Sequence, residues 1–466
     1  MANFRFVNYL TARFFHLLRD RKANVAVMFA VMMVPCIYLL GMTLDYTQAV
    51  RKRSQLNAAL DAAVIAAVTP SMLSQSNAAA TTAATNVFNA TASPNGQPMP
   101  GLSGQPTLNI TVTNVGLVRT VTASYTAAST NNFPILLGTP AWNINGTAAA
   151  SASGAPNINF YLLLDDSPSM AIAGTPAGVA TMVSHTSSQG GCAFACHETN
   201  PAADNLGNPG GEDNYALARN LGVTLRIDLL AQAAANLMST AQTTENANNN
   251  TYEVAIYTFD YGFNTVFAPS GLPSTNLSSA STAAAGISVV TVYDNSCLTS
   301  TNCNQDTDTN FSSALQSLNT IMPAPGAGTS NAGDTPQEVV FVVTDGVEDK
   351  VVSSTSACSQ PTVSMGSGQY RCQQPIDTTW CSTVKNRGIR IAVLYTEYLP
   401  LPTNSWYNSY VAPFNSPGPA SGQIATNLQS CASQGLFYDV QSGGDITAAL
   451  NALFQLVVAS AAHLTQ

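Results

Sequence analysis

Ile158-Asn-Phe-Tyr-Leu-Leu-Leu-Asp165-Asp166-Ser167-Pro168-Ser169 is the stretch around which the rest of the chain is organised. Residues 158–164 are nearly all apolar, too short for a buried helix and without the alternation of a half-exposed strand. The run therefore predicts a strand buried on both faces of a parallel sheet. Similar short runs recur at 252–258, 339–344 and 389–395, separated by helical spacing at 215–240 and 311–321. A strand-like 436–440 and an apolar helix at 445–461 close the pattern. Alternating strands and helices of this kind predict an α/β domain over 157–462, built on an open, mostly parallel sheet. Three insertions, at about 176–213, 267–305 and 351–384, read as loops and carry most of the cysteines.

The polar residues beside these strands carry the chemistry. Asp165-x-Ser167-x-Ser169 follows the first strand directly, and Asp345-Gly346 follows 339–344. Thr309 opens Thr-Asn-Phe-Ser-Ser-Ala-Leu just before a predicted helix. In an open α/β sheet, ligands gather beyond the carboxyl ends of strands at the topological switch point. Asp165, Asp345, Ser167, Ser169 and Thr309 would form an all-oxygen nest suited to Mg²⁺, Mn²⁺ or Ca²⁺. One position would stay open for a carboxylate offered by a protein partner. Taken alone, the pentapeptide reads as a helix N-cap, with Asp or Ser accepting from helix N–H groups.

These three segments, LLLDDSPS, DTDTNFSSAL and VVFVVTDG, stand in the order found in von Willebrand factor A (vWA) domains, and 157–462 resembles such a domain with its metal-ion-dependent adhesion site. The resemblance implies that Ser167 and Ser169 bind the ion directly. It implies that Asp165 and Asp345 hold the ion mostly through water, and that Thr309 is the ligand that changes with occupancy. Asp308 departs from the family, which often has glycine before its threonine.

The amino-terminal end has a different character. The chain has 16 Lys and Arg against 25 Asp and Glu, a net charge of −9. Residues 1–53 carry +6 of this and the remainder −15. An acidic body repels phosphate backbones, so nucleic-acid binding is excluded as its main role. Residues 23–44 contain no charge, enough to span a bilayer core of about 30 Å as one helix, with Pro35 as a tolerated kink. The basic segment 1–22 outweighs the far flank, which the positive-inside rule reads as a cytoplasmic N-terminus and an exported body. Eight of nine cysteines follow the span, an even set that predicts disulfides in an oxidising, periplasmic or surface-facing compartment. Short loops favour Cys192–Cys196 and Cys297–Cys303. Cys192-x-x-x-Cys196-His197 could also be read as a zinc or haem motif, but it lacks the haem spacing, and a local disulfide is the simpler reading.

Helical spacing continues past the span through Leu56, Leu60, Val64 and Ala67, predicting a helical stalk over 45–92, followed by a small β-rich segment at 93–156. Asn24-Val-Ala-Val27, Asp45-Tyr46 and Arg53-x-x-Leu56-x-x-Ala59-Leu60-Asp61-Ala62-Ala63 resemble the N-terminal segment of TadE/TadG-like proteins of tight-adherence (Flp) pilus loci, over about 19–68. An anchor followed by a vWA domain is the TadG arrangement. The resemblance implies a non-enzymatic inner-membrane protein serving assembly or anchoring of a pilus, with other pilus-assembly components as partners. The rival expectations are a membrane-tethered, metal-dependent hydrolase and a vWA scaffold with no working metal site. Scattered histidines, and the lack of a nucleophile elbow or phosphate loop, argue against catalysis.

Overall fold

The computed structural model describes residues 21–115, 117–134, 138–198, 212–292, 309–330, 333–359, 362–398, 400–441 and 443–461. The chain divides into two compact units, residues 1–152 and 153–466.

The first unit is built on one helix, α1 (Arg21–Ala66), 46 residues long with Pro35 inside it. Its large apolar side chains between Val25 and Tyr46 are exposed, as expected of a helix whose solvent there is lipid. Beyond them the buried positions Ala49, Leu56, Leu60, Val64 and Ala67 follow helical spacing. They share a core with Ala80, Ala84, Phe88 and Ala92, one stripe of α2 (Asn77–Ala92). Ser76 caps α2, its hydroxyl accepting from the Ala79 amide at 3.2 Å. The other wall of this core is a three-stranded sheet of β1 (Thr107–Val115), β2 (Val118–Thr130) and β3 (Ala141–Ser153), in that order. Val121, Ala123 and Tyr125 alternate inward along β2. The helical and β-rich segments of the sequence thus close over one core. Buried Arg119 secures the turn before α2, donating to the carbonyls of Met72 and of Gln75, the latter at 2.6 Å.

The second unit holds a six-stranded sheet. β4 (Ile158–Asp165) lies between β5 (Tyr252–Phe259) and β7 (Gln337–Thr344), parallel to both. β11 (Arg390–Thr396) and β12 (Phe437–Val440) continue in parallel on one side, and β6 (Phe263–Phe267) closes the other as an antiparallel edge. The order β12-β11-β7-β4-β5-β6 reverses direction between β4 and β7, which is the topological switch point. Every residue of β4 is buried. Phe160, Leu162 and Leu164 face a core completed by α4 (Arg226–Asn248), α5 (Leu277–Ala285) and α9 (Ile446–Ala461). Tyr161 and Leu163 face the opposite core, with α6 (Phe311–Ile321), α7 (Thr379–Asn386) and α8 (Gln423–Cys431). This is the expected fold class: α/β, an open and mostly parallel sheet, preceded by one long apolar helix. α3 (Pro176–His185) begins the first insertion.

Three details depart from the sequence reading. The helix expected over 215–240 is broken: a short helix, Asn214–Asn220, ends at Gly222, whose φ is +65°, and α4 starts afresh at Arg226. The Asp228 carboxylate fixes that start by accepting from the Leu225 amide at 2.8 Å. None of the three insertions is all loop: the first opens with α3, the second contains α5, and the third, at 351–384, contributes strands. With the residues after Asp345 the third forms a second sheet of β8 (Val347–Val352), β9 (Val363–Gly366) and β10 (Gln369–Pro375), in the order β8-β10-β9. The disulfides also differ from the short-loop expectation. Cys358 pairs with Cys372 and Cys381 with Cys431, while Cys192 and Cys196 are not joined to each other. Cys297 and Cys303 lie outside the described residues.

Candidate metal centre

Asp165 closes β4 with its carboxylate fully buried. Its Oδ1 accepts from the Ser167 amide at 3.1 Å and the Ser167 hydroxyl at 2.6 Å. Its Oδ2 accepts from the Thr344 hydroxyl at 2.5 Å, at the end of the neighbouring β7. The Ser167 and Ser169 hydroxyl oxygens are 3.1 Å apart. Three of the five residues singled out in the sequence, Asp165, Ser167 and Ser169, therefore meet in one hydrogen-bonded group at the switch point, and the Asp345 carboxylate lies close enough for its charge to act on Asp165. Thr309 is placed on the adjoining connection, buried, by a two-way backbone pairing with Asp349. Among the described residues no hydrogen bond joins its side chain to the other four. Asp308 lies outside the described residues.

The turn Thr344-Asp345-Gly346 aims the second carboxylate. Asp345 Oδ1 accepts from the Val347 amide at a long 3.4 Å. Its Oδ2 has no hydrogen-bond partner and stands 3.8 Å from Arg226 Nη1, which has none either. Both side chains are almost fully buried. Two more carboxylates border the group. Asp166 is buried with an unpartnered Oδ1, and Asp260, just beyond β5, accepts from the Gly262 amide at 2.6 Å. Each of the central strands β4, β5 and β7 thus delivers an aspartate within a residue or so of its carboxyl end.

Burial and like charge push these acids upward. Burial raises Asp165 to about 7, with the Asp345 charge adding to it and the hydroxyls of Ser167 and Thr344 opposing. Burial also raises Asp345, with Arg226 opposing. Asp166 is driven well up by burial and by Asp260, which is itself raised by burial.

The donor set fits a hard divalent cation. All the donors are oxygen, hydroxyls alternate with carboxylates, and a carboxylate oxygen is left without a proton donor. Among the described residues no three His, Cys, Asp or Glu side chains are grouped to hold an ion by themselves, so an ion here needs the serine hydroxyls. The Cys192/Cys196/His197 segment offers no comparable group: His197 Nδ1 lies 2.8 Å from Asp213 Oδ2 and its ring stacks on Tyr215.

A pH dependence follows. A carboxyl raised in the folded state keeps its proton where the unfolded chain has lost it, so the stability it contributes is full below the ordinary value of 3.8 and is lost as pH rises to about 7. EDTA-treated protein should therefore unfold at lower urea concentration at about pH 8 than at about pH 5. An Asp165→Asn variant should show a flatter profile across the same window.

Sequence reasoning missed Asp260, Arg226 and Thr344. Asp260 carried the same signal as Asp345, an aspartate just past an apolar strand. Arg226 carried none, because the break that makes it the first residue of α4 interrupts an otherwise continuous apolar spacing.

The strand order makes the second unit an open, mostly parallel α/β domain whose switch point lies between β4 and β7. The segment ahead of it is TadE/G-like: residues 23–84 match the family model Tad, described as "Putative Flp pilus-assembly TadE/G-like". No curated protein matches the chain. Among solved structures, the pilus adhesin SpaC from Lactobacillus rhamnosus GG is similar at 12% identity, over 77% of this chain and 34% of its own, with a TM-score of 0.34. The conserved hypothetical protein BatB from Bacteroides thetaiotaomicron is similar at 13% identity, over 64% of this chain and 98% of its own, with a TM-score of 0.31. A von Willebrand factor type A structure from Catenulispora acidiphila is similar at 11% identity, over 76% and 50%, with a TM-score of 0.28. Likenesses this slight carry no argument about function.

Proposed function

We propose that this protein is a membrane-anchored component of Flp-type pilus assembly or anchoring, whose vWA domain binds a protein partner through a divalent cation and catalyses no reaction. The observation that carries the binding reading is the hydroxyl–carboxylate group of Asp165, Ser167, Ser169 and Asp345 at the switch point. Those residues would hold the ion, with Thr309 on the adjoining connection. Once bound, Mg²⁺ or Mn²⁺ would supply a positive charge able to accept a carboxylate from the partner. The protein's own contribution is to keep four buried aspartates, Asp165, Asp166, Asp260 and Asp345, together at the carboxyl ends of β4, β5 and β7. Arg226 shares the charge of Asp345 while Asp165 draws on the Ser167 and Thr344 hydroxyls. No histidine stands among these residues to act as a general base.

The anchor reading rests on α1 and the TadE/G-like match, and the topology on the charge asymmetry of its flanks. Two disulfides beyond the anchor support an exported body. Two measurements test the whole. Alkaline phosphatase fused after Gln466 should be active in cells. Pilus components should also co-purify with the full-length protein in Mg²⁺ and be released by EDTA, but not co-purify with an Asp345→Ala variant. An inactive fusion overturns the topology, and equal recovery in EDTA overturns metal dependence.

A further inference from the structure

The helix α1 is a ruler, rising 1.5 Å per residue, and side-chain contacts pin the first unit to it at known heights. Its uncharged stretch ends at Leu44. The next residue, Asp45, is only 1% exposed, because both carboxylate oxygens are taken by one connection. Oδ1 accepts from the Asn132 amide at 2.8 Å and Oδ2 from the Phe133 amide at 3.0 Å. The link between β2 and β3 is thereby fixed level with the end of the apolar stretch. One residue further on, the Tyr46 ring meets the Trp142 ring edge-on at 6.5 Å, at the start of β3. Higher up, Arg53 Nε donates to the Asn145 carbonyl at 3.1 Å. From Tyr46 to Arg53 is about 10.5 Å of helix, and from Trp142 to Asn145 about 10 Å of strand. The two distances agree, so β3 runs alongside α1 away from the apolar end. The β2–β3 link is therefore the face nearest the lipid.

That face is aromatic. Tyr46 is 60% exposed and Phe133 37% exposed, with Trp142 half-buried between helix and sheet. Pro134, which follows Phe133, is exposed as well. The one acid at this level, Asp45, is withdrawn from solvent by the link itself. Aromatic rings at the boundary of a span favour the headgroup layer. We propose that Tyr46, Phe133 and Trp142 form a collar that seats the first unit in the interfacial layer of the bilayer, with lipid as the occupant of this face. The unit would then rest on the membrane as a shoulder rather than swing free on the helix.

The inference rests on the reading of α1 as a membrane span, and the test separates the two. Trp380→Phe with Trp406→Phe leaves Trp142 as the sole tryptophan of the three in the chain. A companion protein carries Phe133→Trp with all three native tryptophans replaced by Phe. Each full-length protein is reconstituted in phosphatidylcholine vesicles, and flotation in alkaline carbonate first establishes anchoring. Lipids brominated close to the headgroup should reduce the fluorescence of the tryptophan at 133 by roughly half, and lipids brominated near the chain ends should do less. Trp142 should show the same order, more weakly because of its burial. In the Asp45→Leu protein, which lacks the pin, the quenching at 133 should fall while flotation is retained. Flotation without bromine quenching at 133 overturns the collar and leaves the span standing. That is also the outcome if another protein, absent from the vesicles, is what covers this face. Failure to float overturns both.

Discussion

Replacing Cys381 and Cys431 together by alanine should lower the stability of the second unit by about 4 kcal/mol, the entropy released to the unfolded chain when a loop of this length is no longer closed. The pair is 50 residues apart and ties α7 to α8, with both sulfurs in fully buried residues. Replacing Cys358 and Cys372, only 14 residues apart, should cost about 3 kcal/mol and act on the small sheet of β8, β9 and β10. Urea unfolding of the two double variants beside the parent protein, all kept oxidised, gives both values. The ordering matters more than either value. A larger loss from the Cys358–Cys372 pair would mean that the α7–α8 tie is not what holds that face of the sheet together.

The turn that aims Asp345 should be nearly as sensitive. Gly346 has φ +81°, a region that costs a side-chain-bearing residue about 1–2 kcal/mol. A Cβ there would also lie 2.6 Å from Leu428 Cδ1 and 2.7 Å from Ile424 Cγ2, two buried side chains of α8. Forcing that contact adds about 1–3 kcal/mol. Gly346→Ala is accordingly expected to destabilise by about 2–5 kcal/mol. It should also weaken metal binding, since the strain falls on the peptide that carries Asp345. Thermal melts and metal titrations on this variant check both. Wild-type stability would show that the turn relaxes without disturbing α8.

What could be read from the sequence was whatever a single face or a single neighbour determines. β4 was visible because burial on both faces leaves an unbroken apolar run, and Asp165 and Asp345 were visible because they adjoin such runs. The stripe Leu56, Leu60 and Val64 on α1, with Ala67 just past its end, was equally plain, and all four positions are buried. β8 and β10 were not visible, because their interior is polar. Glu348 accepts from the Ser312 amide and hydroxyl and pairs with Lys350, and Asp349 pairs with Arg371. Paired charges satisfy burial without leaving a hydrophobic pattern. Disulfide connectivity was hidden for a related reason: closing a short loop costs least, yet α7 and α8 bring Cys381 and Cys431 together across 50 residues. Arg226 depended on a helix break at Gly222, which only the packing of both flanking segments decides.

The most direct test of the account is a pair of thermal melts on EDTA-treated protein, without and with Mg²⁺ or Mn²⁺. If Asp165, Ser167, Ser169, Thr309 and Asp345 share an ion, saturating metal should stabilise the folded state by about 2.7 kcal/mol at a hundredfold excess over Kd. The gain should grow as pH rises through the range in which Asp165 gives up its proton, and Asp345→Ala should abolish it while retaining the fold. A wild-type melt that metal leaves unmoved would contradict the account, leaving an open α/β fold with no working metal site.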